Sequence, residues 1–130
     1  MAPDCAFADS LFANAKVLAE KDDSTAINNY LEAAAAYKAA DCPPSKWFDA
    51  IKGATVHARK KKNYDLALQI GTQALRAIWW KPEDKNTGKI YLDIGYSHNQ
   101  NGEYVDALPY YQAALEIYRR GEKVAENIRF

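Results

Sequence analysis

Two histidines, two cysteines, three tryptophans and a run of four cations are the residues of this chain whose types could do chemistry. His57 and His98 fall at almost equivalent places on two predicted helices, where two imidazoles could face each other across a helix pair as metal ligands. No carboxylate is obviously placed as a third ligand, and the plainer account is a pair of partly buried imidazoles. There is no phosphate-cradling glycine loop, no nucleophile elbow and no pair of cysteines at two-residue spacing. The expectation is therefore no catalytic residue, no cofactor and no metal, with an unrecognised enzyme resting on His57 and His98 alone. Trp47 opens one predicted helix and Trp79 with Trp80 closes the next, so antiparallel packing would gather them into a ligand pocket or a wedge of core. Arg59, Lys60, Lys61 and Lys62 resemble a nucleic-acid patch in isolation, but they sit at a predicted helix C-terminus, where cations are stabilised by the dipole.

Helical periodicity dominates the chain that must position these groups. Leu11, Ala15, Leu18 and Ala19 share one face, and Ser24 is a candidate N-cap for a second helix carrying Ile27, Tyr30, Leu31, Ala34 and Tyr37, closed by Asp41 to Pro44. Ser45 would cap a third helix with Trp47, Ala50, Ile51, Ala54 and Ala58 inward, and Asn63 starts a fourth with Leu66, Ala67, Ile70, Ala74, Leu75 and Ile78. Pro82, Asn86 and Gly88 punctuate the next gap. A fifth helix carries Tyr91, Ile94, Gly95 and His98, Asn101 and Gly102 turn the chain, and a sixth runs from about Tyr104 to Arg120. Pro109 suits that helix only near its start, where a missing N–H costs little.

Composition agrees with helix. Alanine supplies 23 of 130 residues, against 16 for Val, Ile and Thr together, and alanine loses no side-chain entropy in a helix. A chain of 14.6 kDa has room for one compact domain. No apolar run approaches the ~20 residues of a membrane span. Seventeen bases balance seventeen acids, which argues against a nucleic-acid or anionic-membrane binder driven by bulk charge. The balance is uneven along the chain: −4 over residues 1–42, +5 over 43–87 and −1 over 88–130.

The six helices form three hairpins that resemble one another. Gly95 is followed at +12 by Ala107, then by Tyr111 and Ala114; Thr55, Ala67, Gly71 and Ala74 keep that spacing, and Ala15, Ala26, Tyr30 and Ala33 repeat it with one residue missing from the turn. Small residues are needed where two helices of a hairpin approach closely, and a large one fills the gap beside them. On these residues, most clearly in the stretch from Tyr91 to Leu115, the chain resembles the tetratricopeptide repeat family, in a long variant with a period of about 40 rather than 34. The resemblance implies an all-α fold in which three antiparallel helix hairpins, about 6–41, 45–81 and 88–121 with a tail at 122–130, stack as a right-handed α-solenoid in one domain.

It also implies that the first helix of each hairpin lines a concave groove gripping a peptide or a partner helix. The groove residues are then Phe12 and Lys16, next Lys52, Val56, Arg59 and Lys60, and finally Lys89, Leu92, Tyr96, Asn99 and Gln100, each set at three- and four-residue steps. Bases outnumber acids on these strips, which suits an acidic or carboxylate-bearing segment. Phe12, Lys16 and Gly53 do not supply the asparagines of the family's chaperone-tail clamp, so a chaperone C-terminus is not the expected ligand. The implied function is a non-catalytic adaptor that binds protein or peptide, with neither nucleic acid nor membrane insertion; the alternative is a module that self-assembles through exposed end faces, since Glu122 to Phe130 is too short for a capping helix.

Cys5 and Cys42 stand just before the first helix and just after the second, which an antiparallel hairpin brings together. They form a disulfide if their Cα atoms come within about 4.4–6.8 Å, or remain a pair of reduced thiols. The first 20 residues show no basic n-region followed by the apolar core of a secretory signal. The chain therefore reads as cytoplasmic, or as periplasmic or secreted if a signal was removed and the cysteines are bridged.

Overall fold

The computed structural model describes residues 4–78 and 84–128, with side chains for 4–78 and 84–121. Every regular element among them is a helix: α1 (Cys5–Glu20), α2 (Ala26–Ala39), α3 (Pro44–Lys60), α4 (Tyr64–Ala77), α5 (Lys85–Gln100) and α6 (Tyr104–Ile128). The chain divides into two compact units, residues 1–70 and 71–130, with the boundary inside α4.

A shared device ends the helices. After α1, α2, α3 and α5 the chain turns through a left-handed residue, respectively Asp22 (φ 59°), Asp41 (φ 55°), Lys62 (φ 60°) and Gly102 (φ 79°). The amide that follows each donates back five residues: Asp23 to the Leu18 carbonyl, Cys42 to Tyr37, Asn63 to Ala58 and Glu103 to His98, all at 2.8–3.0 Å. This is the Schellman closure, which satisfies carbonyls that a helix end would otherwise leave orphaned. Asp22, Lys62 and Gly102 are 40 residues apart, and seven residues before them Ala15, Thr55 and Gly95 are all buried. The recurrence seen in the residues is thus also a recurrence of backbone geometry. The residue missing from the first turn lies between Asp22 and Ala26.

Helix boundaries differ from the expectation in three respects. Ser24 and Ser45 do not cap: Asp23 Oδ1 accepts from the Thr25 amide (2.9 Å) and hydroxyl (2.8 Å) ahead of α2, and α3 begins at Pro44, whose fixed φ and absent N–H suit the first helical position. Asn86 and Gly88 lie inside α5, because Asp84 caps it by accepting from the Asn86 amide at 2.7 Å. The third departure is α6, which continues from Arg120 to Ile128, so residues 122–128 extend the helix instead of forming a tail. Pro109 sits more than one turn inside that helix, where it forfeits the bond to the Val105 carbonyl.

In the first unit α2 packs between α1 and α3, and α1 and α3 barely touch. Alanines at 8, 15, 26, 33, 50, 54 and 58 are all but inaccessible, and Tyr30, Tyr37, Trp47 and Phe48 supply the bulk between them. The expected core role of Trp47 holds, while Trp79 and Trp80 lie outside the described residues. At one end of the unit, Asp9 of α1 accepts from the Tyr37 hydroxyl of α2 at 2.6 Å and pairs with Lys46 of α3 at 3.1 Å. Beside it Cys5 and Cys42 are joined in a disulfide, their Cα atoms 5.9 Å apart. At the other end His57 Nε2 lies 3.0 Å from the Asp23 carbonyl, and Lys61 pairs with Asp22 at 3.0 Å.

The Asp9 clasp gives a pH dependence of known sign. The Tyr37 hydroxyl first, and Lys46 second, hold the Asp9 carboxyl below its ordinary value of 3.8. A depressed folded-state value means that the stabilisation is fully present above the unfolded value and is lost as pH falls through the folded one. Asp9→Asn should therefore melt below the wild type at neutral pH, and the gap should close as the pH drops below about 4. Thermal melts from neutral to acid pH check this; a gap that stays constant would mean that the clasp does not depend on the charge of Asp9.

In the second unit α5 packs antiparallel on α6. Gly95 faces Tyr111 and Gly88 faces Tyr118 and Ile117, a register that pairs residues along the two helices in strict reverse order. A Cβ at Gly95 would lie 2.8–3.2 Å from the Tyr111 ring, and one at Gly71 would lie 2.7 Å from Ile94. The first is the close approach within a hairpin that the small-residue spacing implied; the second joins α4 to α5, which belong to successive hairpins.

Candidate functional site

In the first unit, helices α1 and α3 expose strips on either side of two tyrosine rings from α2. Phe12 is half-buried, with its ring 5.7 Å from that of Tyr30 and 6.4 Å from that of Tyr37. Lys16, exposed one turn on, holds its Nζ 5.5 Å over the Phe12 ring. On α3, Gly53 leaves no room for a Cβ because the Tyr30 ring occupies that space. Tyr30 therefore spans from Phe12 on α1 to Gly53 on α3. Lys52 and Lys60 are exposed beside Gly53, and Val56 and Arg59 are half-buried. The arrangement is an apolar floor of tilted and edge-on rings with cations on the helices to either side. Burial raises the Tyr30 hydroxyl above its ordinary value of 10.0, with Glu20 adding to the effect, so at neutral pH the floor carries no phenolate charge.

In the second unit Lys89, Asn99 and Gln100 are exposed and Leu92 is half-buried on α5. Tyr96 is 50% exposed and meets Tyr111 edge-on, with ring centroids 6.0 Å apart. Each predicted set therefore includes exposed residues within its own unit. Tyr30 is buried beneath the first surface, where sequence reasoning did not place it, because it reaches Phe12 and Gly53 by contact between helices and not by spacing along one.

No protein-family model, curated protein or solved structure matches the chain. The functional reading therefore rests on its own geometry.

That geometry gives the two histidines structural partners. His57 is 2% exposed and is engaged by the Asp23 carbonyl. His98 stacks on Tyr110 with centroids 5.5 Å apart, and its Nδ1 lies 3.4 Å from Glu103 Oε1. Glu103 also accepts from the Asn101 side-chain amide at 2.7 Å; that bond chiefly, with smaller contributions from His98, keeps its carboxyl below the usual range against the opposing effect of burial. Donor atoms of His98, Glu103 and Asp106 lie within 4.8 Å of one another and are the described residues that could approach one metal ion. Glu103 and Asp106 stand at the start of α6, where carboxylates complement the helix dipole and a cation is disfavoured by it, and His98 meets them from the last turn of α5. The cationic run at 59–62 closes α3: Lys61 holds Asp22, and Lys62 is the left-handed closing residue.

Proposed function

We propose that this chain is a non-catalytic helical-repeat adaptor that binds an acidic protein or peptide segment along the outer strips of α1, α3 and α5. The observation that carries the reading is the ring floor of Phe12 and Tyr30 rimmed by Lys16, Lys52, Arg59 and Lys60. Apolar rings supply contact area at low entropic cost, and the surrounding cations select and steer a negatively charged segment. The 40-residue recurrence of helix closures supports a stack of repeats of the tetratricopeptide kind, in which such strips from successive hairpins would line one groove. The Cys5–Cys42 bridge supports the exported alternative for localisation, since disulfides persist in oxidising compartments. No helix among the described residues is long and apolar enough to cross a membrane.

The test is charge reversal of the cations on α3 and α5. Each rim contact contributes about 0.2–1 kcal/mol, so Lys52→Glu, Arg59→Glu and Lys89→Glu together should weaken binding of a fluorescein-labelled Glu-rich peptide by roughly 1–3 kcal/mol and flatten its salt dependence. Fluorescence anisotropy at two ionic strengths reads both. Unchanged affinity and salt slope in a folded triple variant would remove the groove assignment.

A further inference from the structure

The inner face of α6 is satisfied by α5, through Ala107, Tyr111, Ala114, Ile117 and Tyr118, but its outer face carries a second pattern. Val105, Leu108, Gln112, Leu115 and Arg119 follow one another at steps of three, four, three and four residues, and all five are exposed. Val105 is 85%, Leu108 55% and Leu115 49% exposed, which is unusual for aliphatic side chains aligned on one helix. The spacing is that of a coiled-coil seam, in which Val105 and Gln112 take one core position and Leu108 and Leu115 the other. Because α6 continues to Ile128, residues 121–128 prolong the helix and do not turn back to form a cap over this strip.

We infer that the strip is a homodimerisation seam, occupied by α6 of a second copy of this chain running antiparallel about a two-fold axis near Gln112. The strip is self-complementary in that direction: Leu108 of each copy meets Leu115 of the other, and the glutamines lie together at the centre, where one polar residue in an apolar seam fixes register. Charge chooses the direction. Among the described residues, the N-terminal end of α6 carries Glu103 and Asp106, while Arg119 and Arg120 follow at the other end, with Glu116 paired to Arg120 at 2.6 Å. An antiparallel copy sets Arg119 against the acidic end of its neighbour, and a parallel copy would set Arg119 upon Arg119. The seam is short, which suits a weak, reversible dimer. It does not rest on the groove reading, since it uses the other helix of the third hairpin and none of the groove residues.

Sedimentation equilibrium of the whole chain from about 10 µM to 1 mM is the measurement, a range set by the weak affinity expected of a short seam. A concentration-dependent dimer is expected. Leu108→Glu with Leu115→Glu should weaken it at least about 100-fold, and Gln112→Leu should strengthen it about tenfold, in line with the cost of a polar residue in the seam. Lys52→Glu, Arg59→Glu and Lys89→Glu together should leave it unchanged, which separates this seam from the groove. Cysteine pairing sets the direction: Leu108→Cys protein mixed with Leu115→Cys protein should form the mixed disulfide in preference to either homodimer. Circular dichroism verifies that each variant is folded. A monomer over the whole range, a dimer indifferent to the two glutamates, or preferred 108-to-108 crosslinking would each overturn the inference.

Discussion

Replacing Cys5 and Cys42 with alanine is expected to lower the unfolding free energy by roughly 4 kcal/mol, the largest loss available from two small side chains in this protein. The bridge joins residues 37 apart in sequence, and the logarithmic dependence of loop-closure entropy on length gives that figure for a loop of this size. Its effect falls mainly on α1. That helix rests on α2 and scarcely on α3, so with the bridge gone it is held by Ala8, Ala15 and Phe12 against α2 and by the exposed Asp9 clasp. An exposed ion pair contributes little by itself, and α1 should become the first element to open. Urea unfolding of the wild type, the reduced wild type and the double variant measures the loss. Hydrogen exchange should localise it, with amides of α1 losing protection before those of α3. A difference below about 1 kcal/mol between the oxidised protein and the double variant would show that chain entropy is not how this bridge acts.

What the residues disclosed, and what they withheld, follows from which interactions are local. The six helices were readable because each buries one stripe at helical spacing, and the hairpin turns were readable from Asn63 and from Asn101 with Gly102. Three of the four left-handed closures were not. Asp22, Asp41 and Lys62 carry side chains, and their conformation is imposed by the backbone bonds on either side, so they lack the glycine that announces such a turn. Serine fits an N-cap at 24 and 45 by type, but Asp23 takes the Thr25 amide and hydroxyl one residue earlier and Pro44 needs no cap partner for its own nitrogen. The exposed strips were legible as spacing, since Lys52, Val56, Arg59 and Lys60 recur on one face. Their aromatic floor was not, because Tyr30 belongs to the packing stripe of α2 and meets Gly53 only once α2 and α3 are packed. The outer seam of α6 was present in the letters at positions 105 to 119, but the alanine and tyrosine spacing of the inner face overlies it in the same stretch.

That inner face leads to the second large effect. Gly95→Val should destabilise the second unit by about 3 kcal/mol, near the upper end of overpacking costs. The direction is not obvious beforehand, because replacing a helical glycine by a residue with a side chain ordinarily stabilises an exposed helix by up to about 1 kcal/mol. Space decides the sign here. A Cβ at 95 would stand 2.8 Å from Tyr111 Cε1, 3.0 Å from Cδ1 and 3.2 Å from Cζ, so it meets one side of a ring that moves only as a unit. The Tyr111 ring is further hemmed by Tyr96, edge-on at 6.0 Å. Relief must come from separating α5 and α6, which opens the packing around Ile94, Ala107 and Ala114. At Gly88 the nearest atoms are 3.3–3.5 Å away, and Gly88→Ala should be close to neutral, the lost clearance offset by the gain in helix propensity. A double-mutant cycle isolates the cause: with Tyr111→Ala already present, Gly95→Val should cost less than about 1 kcal/mol, because the ring that blocked it is gone. Urea unfolding of the four proteins gives the coupling. If Gly95→Val costs the same in both backgrounds, the tyrosine does not set the approach of these helices, and the small-residue spacing that relates the hairpins has a different physical origin.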